Sequence, residues 1–147
     1  MERSEATALI LAAKAGKGIK WSEAAKAAGK SKEWTTAGLL GQMAFSREQA
    51  EALGRLFELP AEAVAALQEA PYKGSLPTAV PTDPLIYRFY ELVNVYGSTL
   101  KALIHEEFGD GIMSAIDFSM DLQREPDPKG DRVRIVMSGK FLPYKSY

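Results

Sequence analysis

Arg88 and Glu91 stand three residues apart in a stretch crowded with apolar and aromatic side chains: Leu85, Ile86, Tyr87, Phe89, Tyr90, Leu92, Val93, Val95 and Tyr96. That spacing puts both charges on one face of a helix. Charge in apolar company needs a partner or a task. The ordinary reading of such a pair is a solvated helix face that adds little stability. The chemical reading is anion recognition, because a guanidinium stays charged and offers forked donors to carboxylate-like oxygens. Ser114 follows shortly after the turn Gly109-Asp110-Gly111, on the apolar side of an alternating stretch. A small hydroxyl in that place is ordinarily bonded to backbone. Beside an arginine and free amides it also completes an anion-binding set.

Other chemistries find little support. His105, the single histidine, lies between Ile104 and Glu106 with no serine–histidine–aspartate order around it, and reads as a surface or packing residue. There is no cysteine, so disulfides and thiolate chemistry are excluded. One histidine without cysteine does not make a transition-metal site; a carboxylate-only Mg²⁺ site stays open. Gly109-Asp110-Gly111 lacks the lysine and the spacing of a phosphate loop. The expectation is a site with no cofactor and no metal.

The elements that must position these residues follow from the rest of the chain. Its 147 residues allow one domain or two small ones, and 46% apolar content supports a buried core. A net charge of −1 gives no overall basic field for nucleic acid or an anionic membrane. The apolar run from Ala8 to Ala13 is too short to span a bilayer and follows acidic Glu2 and Glu5, so the expected location is the cytoplasm.

Residues 1–76 read as a helical bundle. Ser4, Ser22 and Ser31 are candidate caps for the first three helices, with Gly16, Gly18, Gly29 and Gly41 as stops. Ser46 and Gln49 form a capping-box pattern, and Pro60 opens a fifth helix. The segment Ser22–Leu40 has the order of a helix-turn-helix. Its DNA-binding reading would use Lys30, Lys32, Thr35 and Thr36, and would make the protein a dimeric regulator with a C-terminal dimerisation module. Balanced charge and Glu33 on the would-be recognition helix favour a packing module instead, with Trp21 and Trp34 as anchors.

Pro71 to Pro84 reads as a linker. Thr82 or Asp83 then caps a helix that begins at Pro84, with Gly97 as its expected stop. A helix so apolar on most sides is expected to be buried on most sides. A second helix is expected from Ser98 or Thr99 to Phe108. Ile112 to Leu122 alternates, placing Ile112, Ser114, Ile116, Phe118, Met120 and Leu122 on one face, and Arg132 to Ser138 alternates again. Two strands alone are marginal, so this hairpin needs cover from helices or from another chain.

The runs Tyr87–Glu91 and Val95–Ile116 closely resemble cyanases (cyanate hydratases), and the likeness continues collinearly through Leu39-Leu40-Gly41-Gln42. The resemblance implies a mainly α fold with a small β part. It comprises a structural helix-turn-helix-type bundle over 1–76 and a catalytic and dimerisation domain over 77–147 whose sheet is completed by intertwined dimerisation. It implies a lyase active in cyanate detoxification that turns cyanate and bicarbonate into carbamate and carbon dioxide, bicarbonate being a co-substrate. It names Arg88, Glu91 and Ser114 as catalytic. It also implies a homodecamer of five intertwined dimers with the site shared between subunits, and no nucleic-acid or membrane partner. Two departures lie nearby: Ser98 replaces an expected threonine, and Asp117 an expected asparagine.

Overall fold

Hydrogen bonds at helix ends set out the first half of the chain. In the computed structural model, residues 1–74 and 76–146 are described. The chain divides into two units, Met1–Ser75 and Leu76–Tyr147. The first holds helices α1 (Arg3–Lys17), α2 (Trp21–Ala28), α3 (Lys32–Leu39), α4 (Arg47–Phe57) and α5 (Ala61–Ala66). The Ser31 hydroxyl accepts from the Trp34 N–H at 3.2 Å. Ser46 and Gln49 bond reciprocally, at 3.3 and 2.9 Å.

Ser4 and Ser22 do not cap, contrary to expectation. Glu5 accepts from the Glu2 N–H and Glu23 from the Lys20 N–H, each at 2.7 Å. A carboxylate three residues on does what a capping hydroxyl would do, and both helices begin before their serines. Gly18 and Gly29 close α1 and α2 in the left-handed conformation, at φ 66° and 65°.

Ile10, Leu39, Leu53, Phe57 and Leu67 form the fully buried centre of this unit. Trp21 and Trp34 pack against it, and Trp34 meets Phe45 edge to face at 5.2 Å. Arg3 ties the bundle shut. Its guanidinium donates to the carbonyls of Ala66, Gly38 and Met43 at 2.7 to 2.9 Å. Burial pushes this guanidinium below its ordinary pKa, against the opposing charge of Glu69.

The second unit holds α6 (Pro84–Phe108), β1 (Gly111–Glu125) and β2 (Arg132–Pro143). The Asp83 carboxylate accepts from the N–H groups of Leu85 and Ile86, each at 3.0 Å, with Pro84 at the first helical position. Gly97 does not stop the helix: α6 runs unbroken for 25 residues to Gly109, which sits at φ 90°. A single interior glycine costs a helix about 1 kcal/mol, and Gly97 keeps a negative φ within it. No residue of α6 is buried within this chain, against the expectation of burial on most sides. Among the described residues, the hairpin that shares this unit leaves the helix uncovered.

The two strands pair antiparallel. β2 extends beyond the expected Ser138, so that Gly139 pairs with Phe118 and Phe141 with Met113. Between Met113 and Phe118 the register shifts. The strict alternation expected from Ile112 to Leu122 therefore fails: Ile112 lies opposite Leu142 while Phe118 lies opposite Gly139, on the other face of the sheet. Met113, Phe118, Met120 and Leu122 share a face with Ile135, Met137 and Phe141. Ser114, Ala115, Ile116 and Asp117 lie in the bulge rather than on either regular face.

Candidate functional site

Arg88 and Glu91 lie in the first two turns of α6, where the helix spacing sets them side by side. A guanidinium nitrogen of Arg88 stands 3.4 Å from Glu91 Oε2, with the side chains 64% and 52% exposed. That separation is longer than the 2.7–2.9 Å or so of a strong charge-assisted bond, so the pair leaves most of the arginine's donors free for a ligand. The guanidinium also lies 5.8 Å from the centroid of the Tyr87 ring.

Ser114 is held differently. It is 5% exposed, and its Oγ accepts from the N–H groups of Ile116 at 3.0 Å and Asp117 at 2.9 Å. Two backbone donors on one hydroxyl oxygen fill its acceptor capacity and leave the O–H proton to donate outward. The backbone-bonded reading of this serine thus describes its oxygen, while its proton remains available. Asp117, expected on the strand face opposite Ser114, instead shares the bulge with it. Ile116, between them, is 98% exposed.

One chain does not bring Ser114 to Arg88. Phe141, which pairs with Met113 beside Ser114, stacks on Phe108 at the far end of α6, with ring centroids 5.2 Å apart. Arg88 precedes Phe108 by 20 positions, roughly 30 Å along a helix. Among the described residues, no hydrogen bond or ion pair joins Arg88 or Glu91 to Ser114.

His105 holds the junction between helix and strand. Its Nε2 is 3.3 Å from the Gly111 carbonyl oxygen and 3.9 Å from Asp110 Oδ1. The Tyr144 N–H donates to the Asp110 carbonyl at 3.1 Å, so the end of the chain is tied to the same turn. Among the described residues, no group of three or more histidine, cysteine, aspartate or glutamate side chains is placed to hold a metal ion. Of the residues a DNA-binding reading would use, Thr35 is fully buried and Lys32 stands 3.6 Å from Glu33. Sequence reasoning did not place Gly139 beside the bulge, where a β carbon would lie 2.4 Å from the Ser114 carbonyl oxygen; a lone glycine in a strand pattern is the signal that points to such a close approach.

Both units match known sequence families. Residues 3–71 fit the model of the cyanate hydratase N-terminal domain, and residues 78–146 that of the cyanate lyase C-terminal domain. The chain belongs to the cyanate hydratase family. Over the full length of both chains it is 72% identical to the cyanate hydratase of Ralstonia pickettii (strain 12J) and 69% identical to that of Thiobacillus denitrificans (strain ATCC 25259 / T1). The crystal structure of cyanase from T. urticae superposes with a TM-score of 0.82 at 38% identity, over 94% of this chain and 96% of that one. Because the cyanate hydratase match includes the helical bundle, the regulator reading gains nothing from that half of the molecule. No helix among the described residues is long and apolar enough to cross a membrane.

Proposed function

We propose that this chain is a lyase that decomposes cyanate with bicarbonate, in a site built from Arg88, Glu91 and Ser114. The observation that carries the reading is the 72% identity over the whole chain to a cyanate hydratase. A bicarbonate oxygen attacks the cyanate carbon, and the nitrogen takes up two protons, one from solvent and one from the bicarbonate hydroxyl. The C–O bond on the bicarbonate side then breaks, giving carbamate and carbon dioxide. Carbamate takes up a second solvent proton and falls to ammonia and another carbon dioxide. The reaction needs no cofactor and no metal.

The residues suit this chemistry. Two monoanions repel each other, and the Arg88 guanidinium offsets that repulsion. The Ser114 hydroxyl adds a donor without adding charge. Holding both anions in register replaces a bimolecular encounter by a positioned one, worth up to ~7–11 kcal/mol in favourable cases. Glu91 either orients Arg88 or relays a proton to the nascent carbamate nitrogen.

The site is shared between subunits. Support comes from the separation of Arg88 from Ser114 in one chain and from the uncovered apolar length of α6. The hairpin completes its sheet in an intertwined dimer, five dimers make a decamer, and the helix-turn-helix-like bundle serves as structure. The assembly works in the cytoplasm, with no nucleic-acid or membrane partner. The test is ammonia release from cyanate in carbon-dioxide-depleted buffer, with and without added bicarbonate. Turnover that requires bicarbonate is the expected result; a folded oligomer inactive at every bicarbonate level would refute the reading.

A further inference from the structure

The bulge that carries Ser114 rests on a residue that has no part in the proposed reaction. From Met113 to Phe118 is a step of five positions on β1, whereas their partners Phe141 and Gly139 are two positions apart on β2, so β1 carries three extra residues. The extra chain folds down onto Gly139. A β carbon added there would lie 2.4 Å from the Ser114 carbonyl oxygen and 2.6 Å from Met113 Cγ. Gly139 does not have a positive φ, so its backbone conformation is open to any residue. What demands glycine is space. On its other side the bulge is closed by the bonds from the Ile116 and Asp117 N–H groups to Ser114 Oγ. The Ser114 carbonyl is therefore seated against Gly139 while its hydroxyl oxygen is pinned by two amides.

We propose that Gly139 is a positioning residue: the space left by its missing side chain seats Ser114 so that the serine O–H is held as a fixed donor toward a bound anion. The proposal rests on the reading of Ser114 as catalytic. It places the requirement on the strand opposite the serine, in a residue that touches no substrate. A methyl group at Gly139 must push the Ser114 peptide outward, because a carbonyl oxygen belongs to a planar peptide and cannot swing aside as the end of a flexible side chain would. The hydroxyl then moves with its backbone.

The experiment uses the full-length oligomer with Gly139→Ala. Expected are an unchanged assembly mass, a kcat lowered by about 10²-fold, as a displacement near 1 Å can produce, and a KM for cyanate that moves less than kcat. Hydrogen exchange read by mass spectrometry should quicken in the segment 114–118 and stay as in the wild type in α4. Wild-type kcat in Gly139→Ala would overturn the proposal. Ser114→Ala separates this from failure of the underlying reading: full activity there removes the catalytic serine, whereas an inactive Ser114→Ala beside a normal Gly139→Ala removes only the role of Gly139. If Gly139→Ala does not assemble, Met113→Ala is added to it, which relieves the side-chain half of the clash and leaves the carbonyl contact. That double variant should turn over far more slowly than Met113→Ala alone. Equal rates, or failure of both Gly139→Ala forms to assemble, would overturn the positioning role.

Discussion

Arg88 and Ser114 offer donors by different means. The arginine is exposed and loosely paired, so its charge is free but its position is not fixed within one chain. The serine is buried and pinned, so its position is fixed and only its proton is free. Arg88→Ala should lower cyanate turnover by 10²–10³-fold or about that much, the usual loss for a preorganised donor. Arg88→Lys should lie between, since it keeps the charge and loses the fork; steady-state ammonia release measures both. Glu91→Gln distinguishes its two roles. Near-normal turnover with an unchanged pH profile would leave orientation of Arg88 as its function, and loss of one limb of the profile would assign the proton relay. Far from the site, Arg3 was not visible as special in the sequence, because nothing in its neighbours shows that three carbonyls from distant segments converge on it. Replacing it with methionine strands those carbonyls. Arg3→Met should destabilise the first unit by about 3 kcal/mol or more, given that hydrogen bonds to charged groups contribute about 1.5–3 kcal/mol each; urea unfolding followed by tryptophan fluorescence would show it.

Whether an element could be read from the sequence depended on how many signals marked its ends. Ser31, Ser46, Gly18 and Gly29 each combine a residue type with a position that few others tolerate, and each acts as expected. Ser4 and Ser22 misled because Glu5 and Glu23 compete for the same task from three positions downstream of the true caps. Gly97 misled because glycine is common where helices end but is also tolerated within them. Its role is testable. A β carbon there would meet only Val93 Cγ1, at an ordinary 3.6 Å. Gly97→Ala should stabilise the helix by up to about 1 kcal/mol, read as a higher melting temperature; a fall would mean that another copy packs closely against Gly97. The bulge at Ser114 was hidden because apolar residues continue to alternate through it. Sequence pattern reports the period of side chains but not the partner strand's count, and it is the mismatch between the two strands that makes the bulge. So the residue types that made Arg88, Glu91 and Ser114 candidates were open to reading in the sequence, while the bulge that pins the Ser114 hydroxyl oxygen was not.

At the scale of the molecule, a 25-residue helix rich in Leu, Val and Tyr has no buried residue. Exposed apolar surface of that extent marks an interaction site. In solution the protein should have a mass several times its 16.1 kDa, and specific activity should fall on dilution as copies separate; light scattering and a dilution series measure the two. If the site is shared, inactive chains should repair one another. Mixed assemblies of Arg88→Ala and Ser114→Ala subunits should recover about one quarter of the sites, since each shared site draws its two halves independently from different copies. A site contained in one chain would recover none. The bare helix also governs the first moments of the chain's life. If α6 is covered by a second copy, a newly made subunit releases it bare until it meets a sibling, an event whose rate rises with the square of chain concentration. Capture by proteases or chaperones rises only in proportion to it. Slow synthesis therefore wastes chains, faster synthesis rescues them, and clustered translation on one message becomes the most favourable birthplace for this assembly.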